Sequence, residues 1–221
     1  MELSLKIVAL SDTHGFHKKL IVPDGDMLIH AGDFSMRAKL EDVVEFAKWF
    51  KSQPHQYKIV IAGNHDCYCE GERIWTRDEF YPAIYLCHEE ATVHGYKVFG
   101  SPYSSCIYEP SPWSFDYPPK GARSEALWSQ IPEYTDILIT HGPPKGICDW
   151  VPDVHVGEDN NVGDLNLTYN VKRTLPRVHI FGHIHEGYGA YTSPLFSTRF
   201  YNACVCNRQY KPVNPILTFD L

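Results

Sequence analysis

Five short apolar runs in this chain each stop abruptly in a cluster of glycine and potential ligand residues, and that pattern restricts the possible folds more than any other feature. The fullest case is Tyr57-Lys58-Ile59-Val60-Ile61-Ala62, which passes directly into Gly63-Asn64-His65-Asp66. An amide oxygen, an imidazole and a carboxylate stand consecutively where a buried strand should end. Asn64 is the first metal-ligand candidate, because a neutral amide in such a place serves chiefly as an oxygen donor, and His65 is the first catalytic candidate. Taken alone, the four residues read equally well as a Gly-Asn turn with a solvated His and Asp. Recurrence tips the balance. Leu5 to Leu10 runs into Ser11-Asp12-Thr13-His14-Gly15, and Asp26 to His30 into Ala31-Gly32-Asp33. Asp136 to Thr140 runs into His141-Gly142-Pro143-Pro144, and Arg177 to Phe181 into Gly182-His183-Ile184-His185.

Helical patterns separate these runs. Leu40, Val43, Val44, Ala47 and Phe50 fall at helical spacing between Lys39 and Gln53, and Pro54 stops that helix. Further helices are expected over Arg73 to Phe80, Ala122 to Ile131 and Leu165 to Leu175. Short strands are expected over Ala83 to Leu86, Ala91 to His94 and Tyr96 to Phe99, with two more in the tail, Thr198 to Cys206 and Pro215 to Leu221. Between Pro102 and Pro119 the rings of Tyr103, Tyr108, Trp113, Phe115 and Tyr117 imply an ordered aromatic loop, since such surface is costly to leave in water. Strands alternating with helices predict an α/β sheet, and in such sheets ligands gather where the carboxyl ends of the strands meet. No stretch reads as a linker, so residues 1–221 are expected to form a single domain.

The formal net charge of −7 disfavours a protein that binds by neutralising the phosphates of a nucleic-acid polymer. A small anionic substrate stays open if a metal supplies local positive charge. Seven cysteines cannot pair completely, which suits reduced thiols in the cytoplasm. Cys67 with Cys69, and Cys204 with Cys206, are too closely spaced for the usual structural zinc site. Met1 to Leu10 reads as a first strand rather than a signal peptide, and no apolar run approaches the roughly 20 residues that span a bilayer.

Asp12 and His14 are two residues apart, as are His183 and His185, and in extended backbone such neighbours project to one side. With Asp33, Asn64 and His141 they make seven oxygen and nitrogen donors, more than one tetrahedral ion needs, so two ions are implied. A carboxylate must then bridge them, and Asp33, alone in its motif, is the natural bridge. The other histidines, at 17, 30, 55, 88, 94, 155 and 179, read as ordinary core or surface residues.

Together these blocks, Asp-x-His, Gly-Asp, Gly-Asn-His-Asp, a later His and Gly-His-x-His, resemble the calcineurin-like binuclear metallophosphoesterases. The finer resemblance is to the metallophosphoesterase domain-containing (MPPED-type) branch, through Thr140-His141-Gly142-Pro143-Pro144, the run from Gly182 to Gly189, and Pro212-Val213-Asn214-Pro215. The resemblance implies a four-layer α/β/β/α sandwich of two mixed sheets flanked by helices. It implies one metal site of Asp12, His14, Asp33 and His185, and a second of Asp33, Asn64, His141 and His183. It also assigns His65 as the proton donor to the leaving group, with Asp66 orienting its ring. At Met36, three positions after the bridging Asp, the chain departs from relatives that carry a charge there, so no salt bridge is carried over to that corner.

The chemistry expected is hydrolysis of phosphate esters by a hydroxide bridging two divalent ions, Mn²⁺ first, Fe or Zn otherwise. Small phosphodiesters or cyclic nucleotides are the expected substrates, with Tyr103, Trp113 and Tyr188 as possible stacking partners for a base and Lys145 as a possible phosphate contact. The competing readings are a phosphomonoesterase or phosphoprotein phosphatase, a nuclease, and a non-catalytic nucleotide-binding scaffold.

Overall fold

The computed structural model describes residues 4–37, 39–106, 111–152, 159–194 and 196–221. Tyr108 of the aromatic loop and His155 lie outside the described residues. In chain order the strands are β1 (Lys6–Leu10), β2 (Met27–Ala31), β3 (Tyr57–Ile61), β4 (Ile84–Leu86), β5 (Glu89–Val93), β6 (Tyr96–Ser101), β7 (Ser104–Ser105), β8 (Asp116–Tyr117), β9 (Ile137–Thr140), β10 (Val178–Phe181), β11 (Gly189–Thr192), β12 (Arg199–Asn202) and β13 (Leu217–Asp220). The helices are α1 (Leu40–Ser52), α2 (Cys67–Gly71), α3 (Arg73–Phe80), α4 (Ala122–Trp128) and α5 (Leu165–Thr174).

Two mixed sheets dominate, one of five strands in the order β13-β1-β2-β3-β4 and one of six in the order β11-β12-β10-β9-β6-β5. Within the first, β1 to β4 run parallel and β13 antiparallel; within the second, β12, β10, β9 and β6 run parallel while β11 and β5 are antiparallel.

Alternation along each strand decides which layer a residue joins. Ile7, Ala9, Met27, Ile29, Ile59 and Ile61 point inward against Val98, Ile137, Ile139, Val178 and Ile180, forming the layer between the sheets. Val8, Leu28 and Val60 point outward, where Val43, Phe46, Ala47 and Phe50 of α1 and Phe80 of α3 cover them. On the far side, Leu138, Phe181 and Phe200 pack against Trp128 of α4 and Leu167 and Val171 of α5. The result is a helix layer, two sheets and a second helix layer, the sandwich expected from the sequence. No helix among the described residues is long and apolar enough to cross a membrane.

Several expected elements differ in extent. The helix from Ala122 stops at Trp128, and the strand expected over Thr198 to Cys206 stops at Asn202. There the chain leaves the second sheet, and Cys204 forms an isolated bridge with Ser11 at the end of β1. The edge strand β11 and the two-residue pair β7-β8, inside the aromatic loop, were not expected.

Candidate metal centre

All five ligand-bearing motifs follow parallel strands, so their polar ends reach one edge of the sandwich. Backbone bonds knit that edge together: Asp12 N donates to Gly32 O at 2.9 Å, His14 N to Asp33 O at 3.0 Å, and Gly182 N to His141 O at 3.0 Å. Ser11 N donates to Ala203 O and Val205 N to Ser11 O, tying the first sheet to the second beside the cluster. Asp12, His14, Asp33 and His183 all have positive φ, between 42° and 66°. That conformation is unfavourable for residues with a Cβ, and its concentration here is the strain expected at a functional site. At Gly63 and Gly182 a Cβ would overlap Asp33 Oδ1 and Asp12 Oδ2 respectively, so those carboxylates sit where only glycine leaves room.

The seven expected ligands converge. Asp33 Oδ2 lies at the middle, 3.3 Å from His141 Nε2 and 4.0 Å from His14 Nε2. Asn64 Oδ1 is 2.9 Å from His141 Nε2 and 3.0 Å from His183 Nδ1. His185 Nε2 is 3.2 Å from both Asp12 Oδ1 and His14 Nε2.

Backbone carbonyls fix which ring nitrogen holds the hydrogen. His14 Nδ1 meets Ser35 O at 3.2 Å, His141 Nδ1 meets Ala31 O at 2.9 Å, and His185 Nδ1 meets Asn207 O at 2.9 Å. A carbonyl only accepts, so each Nδ1 donates, and in the neutral rings the three Nε2 atoms present lone pairs. Those lone pairs face one another and the oxygens of Asp12, Asp33 and Asn64. Acceptors crowded together without donors repel unless something positive lies between them, and imidazoles anchored through their other nitrogen are the usual surroundings of a metal. The residues therefore fit divalent cations.

Protons stand in for that charge. Burial opposes ionisation of Asp12 and Asp33, yet His185 beside the first and His141 beside the second hold both well below the usual carboxylate range. Burial alone would keep His141 and His185 neutral, but Asp33 raises His141 to about 10 and Asp12 raises His185 to about 8. His183 is lowered to about 4 by burial and by the charge on His141. His141 and His185 would give up these protons on holding divalent cations.

His65 Nδ1 donates to Met36 O at 2.8 Å, which leaves Nε2 for the site, 4.0 Å from Asp33 Oδ2. Contrary to the expectation from the sequence, Asp66 does not orient this ring. Its carboxylate instead accepts from Phe34 N, Ser35 N, Ser35 Oγ and Gly63 N, fastening the loop after β2 to the loop after β3. Burial and the neighbouring Asp33 charge push Asp66 up to about 8. What holds the His65 ring sideways is Trp113, stacked on it at 4.1 Å between centroids and 26° between planes. Arg37 lies 5.1 Å from the Trp113 ring, in place of a salt bridge at the Met36 corner.

A cavity of about 280 Å³ opens beside the cluster, lined by Asn64, His65, His183 and His185 and walled by Trp113, Asp116, Val151, Val162 and Tyr210. Of the other residues considered for substrate contact, Tyr188 donates to Pro215 O, and the Tyr103 hydroxyl accepts from Arg73. Lys145 donates to Asn161 O and pairs with Asp159 at 2.7 Å; Tyr188, Tyr103 and Lys145 are all absent from the cavity wall.

Sequence reasoning missed three neighbours of the cluster. Cys204 Sγ donates to Asp12 Oδ2 at 3.1 Å, and Ser11 Oγ donates to the same oxygen at 2.5 Å. Tyr210, at φ 54°, sets its ring edge-on to His14 and His185 at 4.8 and 5.1 Å. Ser11 opens the first strand-ending cluster without being a ligand candidate there, and Cys204 and Tyr210 stand in no such cluster and are brought in by the tail. No pair of neighbouring cysteines forms a metal-binding group among the described residues.

The calcineurin-like phosphoesterase family model matches residues 5–187. Human metallophosphoesterase domain-containing protein 1 is 40% identical, with 98% of this chain and 71% of that protein aligned. Two solved structures share the fold: the phosphopantetheinyl hydrolase PptH of Mycobacterium tuberculosis, with TM-score 0.63, 13% identity and coverage of 98% and 97%, and TT1561 of Thermus thermophilus, with TM-score 0.61, 18% identity and 99% of each chain covered. On the family match, the human relative and the ligand-bearing edge, this chain belongs to the calcineurin-like phosphoesterases, in their metallophosphoesterase domain-containing branch, and is a metal-dependent hydrolase of phosphate esters.

Proposed function

We propose that the protein is a phosphodiesterase acting on small phosphodiesters, cyclic nucleotides among them, as a single cytoplasmic domain. Asp12, His14, Asp33 and His185 would hold one divalent cation, and Asp33, Asn64, His141 and His183 the other, with Mn²⁺ the first candidate and Fe or Zn next. The observation that carries this reading is the meeting of Asp33 Oδ2, Asn64 Oδ1 and three carbonyl-anchored imidazoles with their Nε2 atoms facing inward. Bound there, the cations supply Lewis acidity that lowers the pKa of water and offsets charge on the phosphate oxygens.

The chain's own residues do the rest. His65, with Nδ1 committed to Met36 O, uses Nε2 to hand a proton to the departing oxygen in its doubly protonated form. Trp113 covers one face of that ring and keeps water from it. No Lys or Arg lines the cavity among the described residues, so beyond His65 and the bound cations its wall offers no group that favours a second negative charge on the substrate. That supports a diester over a monoester or a polyanion.

Protein stripped with a chelator, reloaded with Mn²⁺ and assayed on bis(p-nitrophenyl) phosphate and p-nitrophenyl phosphate tests the proposal. Diester turnover should exceed monoester turnover, and Asp33→Ala should lose both bound metal and activity. Wild-type turnover no higher than that of Asp33→Ala would overturn the enzyme reading in favour of a binding protein.

A further inference from the structure

The cavity contains one charge that the reaction as described does not use. Asp116 opens β8 and lines the cavity together with His183, Asn64 and Trp113. Hydroxyls hold its carboxylate: Ser104 Oγ donates to one oxygen at 2.9 Å and Ser111 Oγ to the other at 2.5 Å. No Lys or Arg among the described lining residues offsets its charge. Asn64 and His183, two of the proposed cation ligands, line the same cavity, so the Asp116 carboxylate and the cluster face one space. Trp113, Val151 and Val162 add apolar surface to the same cavity, and beside such surface Coulomb repulsion is screened less than in open water.

A phosphodiester carries one negative charge at any pH near neutrality, whereas a monoester gains a second above a pKa of about 6. A fixed carboxylate in the wall therefore discriminates by charge. We infer that Asp116 is a specificity-determining residue that admits monoanionic diesters and repels dianionic monoesters, including the monoester that diester hydrolysis produces. The inference rests on the diester reading of the same site.

Asp116 also has a plain structural task, because Ser111 Oγ, which it holds, accepts from Trp113 N at 3.2 Å. Two variants separate the roles. Asp116→Asn removes the charge and keeps the shape, while Ser111→Ala cuts the link to Trp113 and keeps the charge. The Mn²⁺-loaded proteins are compared for the ratio of monoester to diester kcat/KM with phenyl phosphate and methyl phenyl phosphate, of which the monoester has a second pKa of about 6, at about pH 5 and about pH 8. Binding of phenylphosphonate, which is not hydrolysed, is measured by calorimetry at the higher pH.

Asp116→Asn should raise the ratio roughly tenfold at the higher pH and clearly less at the lower, and should tighten phenylphosphonate binding by a similar factor. Ser111→Ala should leave both within about twofold of wild type. An unchanged ratio in Asp116→Asn at the higher pH, or an equal shift in Ser111→Ala, would overturn the inference. Wild-type preference for the monoester would defeat the diester reading instead, and a ratio that still rose in Asp116→Asn would leave Asp116 as the charge-selecting group.

Discussion

The His65 ring is gripped at its edge by Met36 O and on a face by Trp113, which comes from a loop nearly fifty residues further along the chain. The edge contact chooses the nitrogen that carries chemistry, and the face contact aims it. Replacing His65 by Ala should lower turnover of an ester with a poor leaving group about 10² to 10⁴-fold, while metal content measured by emission spectroscopy stays at the wild-type level. Equal activity of the variant on such a substrate would remove His65 from the proton-donor role. Trp113→Ala loses an aromatic pair worth about 0.5–1.5 kcal/mol, so kcat should fall roughly two- to tenfold, and Trp113→Phe should recover most of it. A change in KM with kcat untouched would mean that Trp113 contacts substrate without aiming His65.

At the level of elements, the site depends on two loops being held against each other. Asp66 spans them, taking hydrogen bonds from Phe34 and Ser35 after β2 and from Gly63 after β3. Truncation leaves these buried donors without a partner, at about 1–3 kcal/mol each. Asp66→Ala should therefore lower stability in urea by at least about 3 kcal/mol and weaken metal retention along with it. A variant that unfolds at the wild-type urea concentration yet loses turnover would return Asp66 to a catalytic role. The elements also differ in how far the sequence exposes them. Helix α1 buries Val43, Phe46, Ala47 and Phe50 along one face, so its periodicity is visible in the residues themselves. Strand β11 is mostly exposed, with no apolar alternation to reveal it, and exists because β12 offers it a free edge. Strands β7 and β8 are two residues each, below the length at which any period can be read.

Across the whole molecule, burial makes the fold sensitive to acid. His30 and His179 are fully buried, and burial lowers each to about 3 from an ordinary value near 6.5. The unfolded chain takes up protons on both below about pH 6.5 while the folded chain does not. Their contribution to stability is thus complete above about pH 6.5 and is lost progressively as pH falls toward about 3, at roughly 1.4 kcal/mol per pH unit for each ring. The urea midpoint should drop steadily from about pH 7 to about pH 4.5, and His179→Gln, which can still bond the Thr140 hydroxyl, should show a shallower slope. Parallel slopes for the two proteins would mean that His179 is not the proton acceptor. By itself the sequence determined which side chains end the strands and that those strands are buried, because strand ends and donor types are local properties written in consecutive residues. That was enough to indicate an α/β sheet and to nominate Asp12, His14, Asp33, Asn64, His141, His183 and His185, while the four-layer sandwich came from the family resemblance those motifs carry. Only the tertiary structure decided what surrounds them: carbonyls of Ala31, Ser35, Met36 and Asn207 that orient the rings, Cys204 on Asp12, Trp113 on His65, and Asp116 in the cavity wall. Carbonyls are the same in every residue, and the other three approach from distant stretches of chain. Their partners are therefore set by how the layers pack, which no local pattern records.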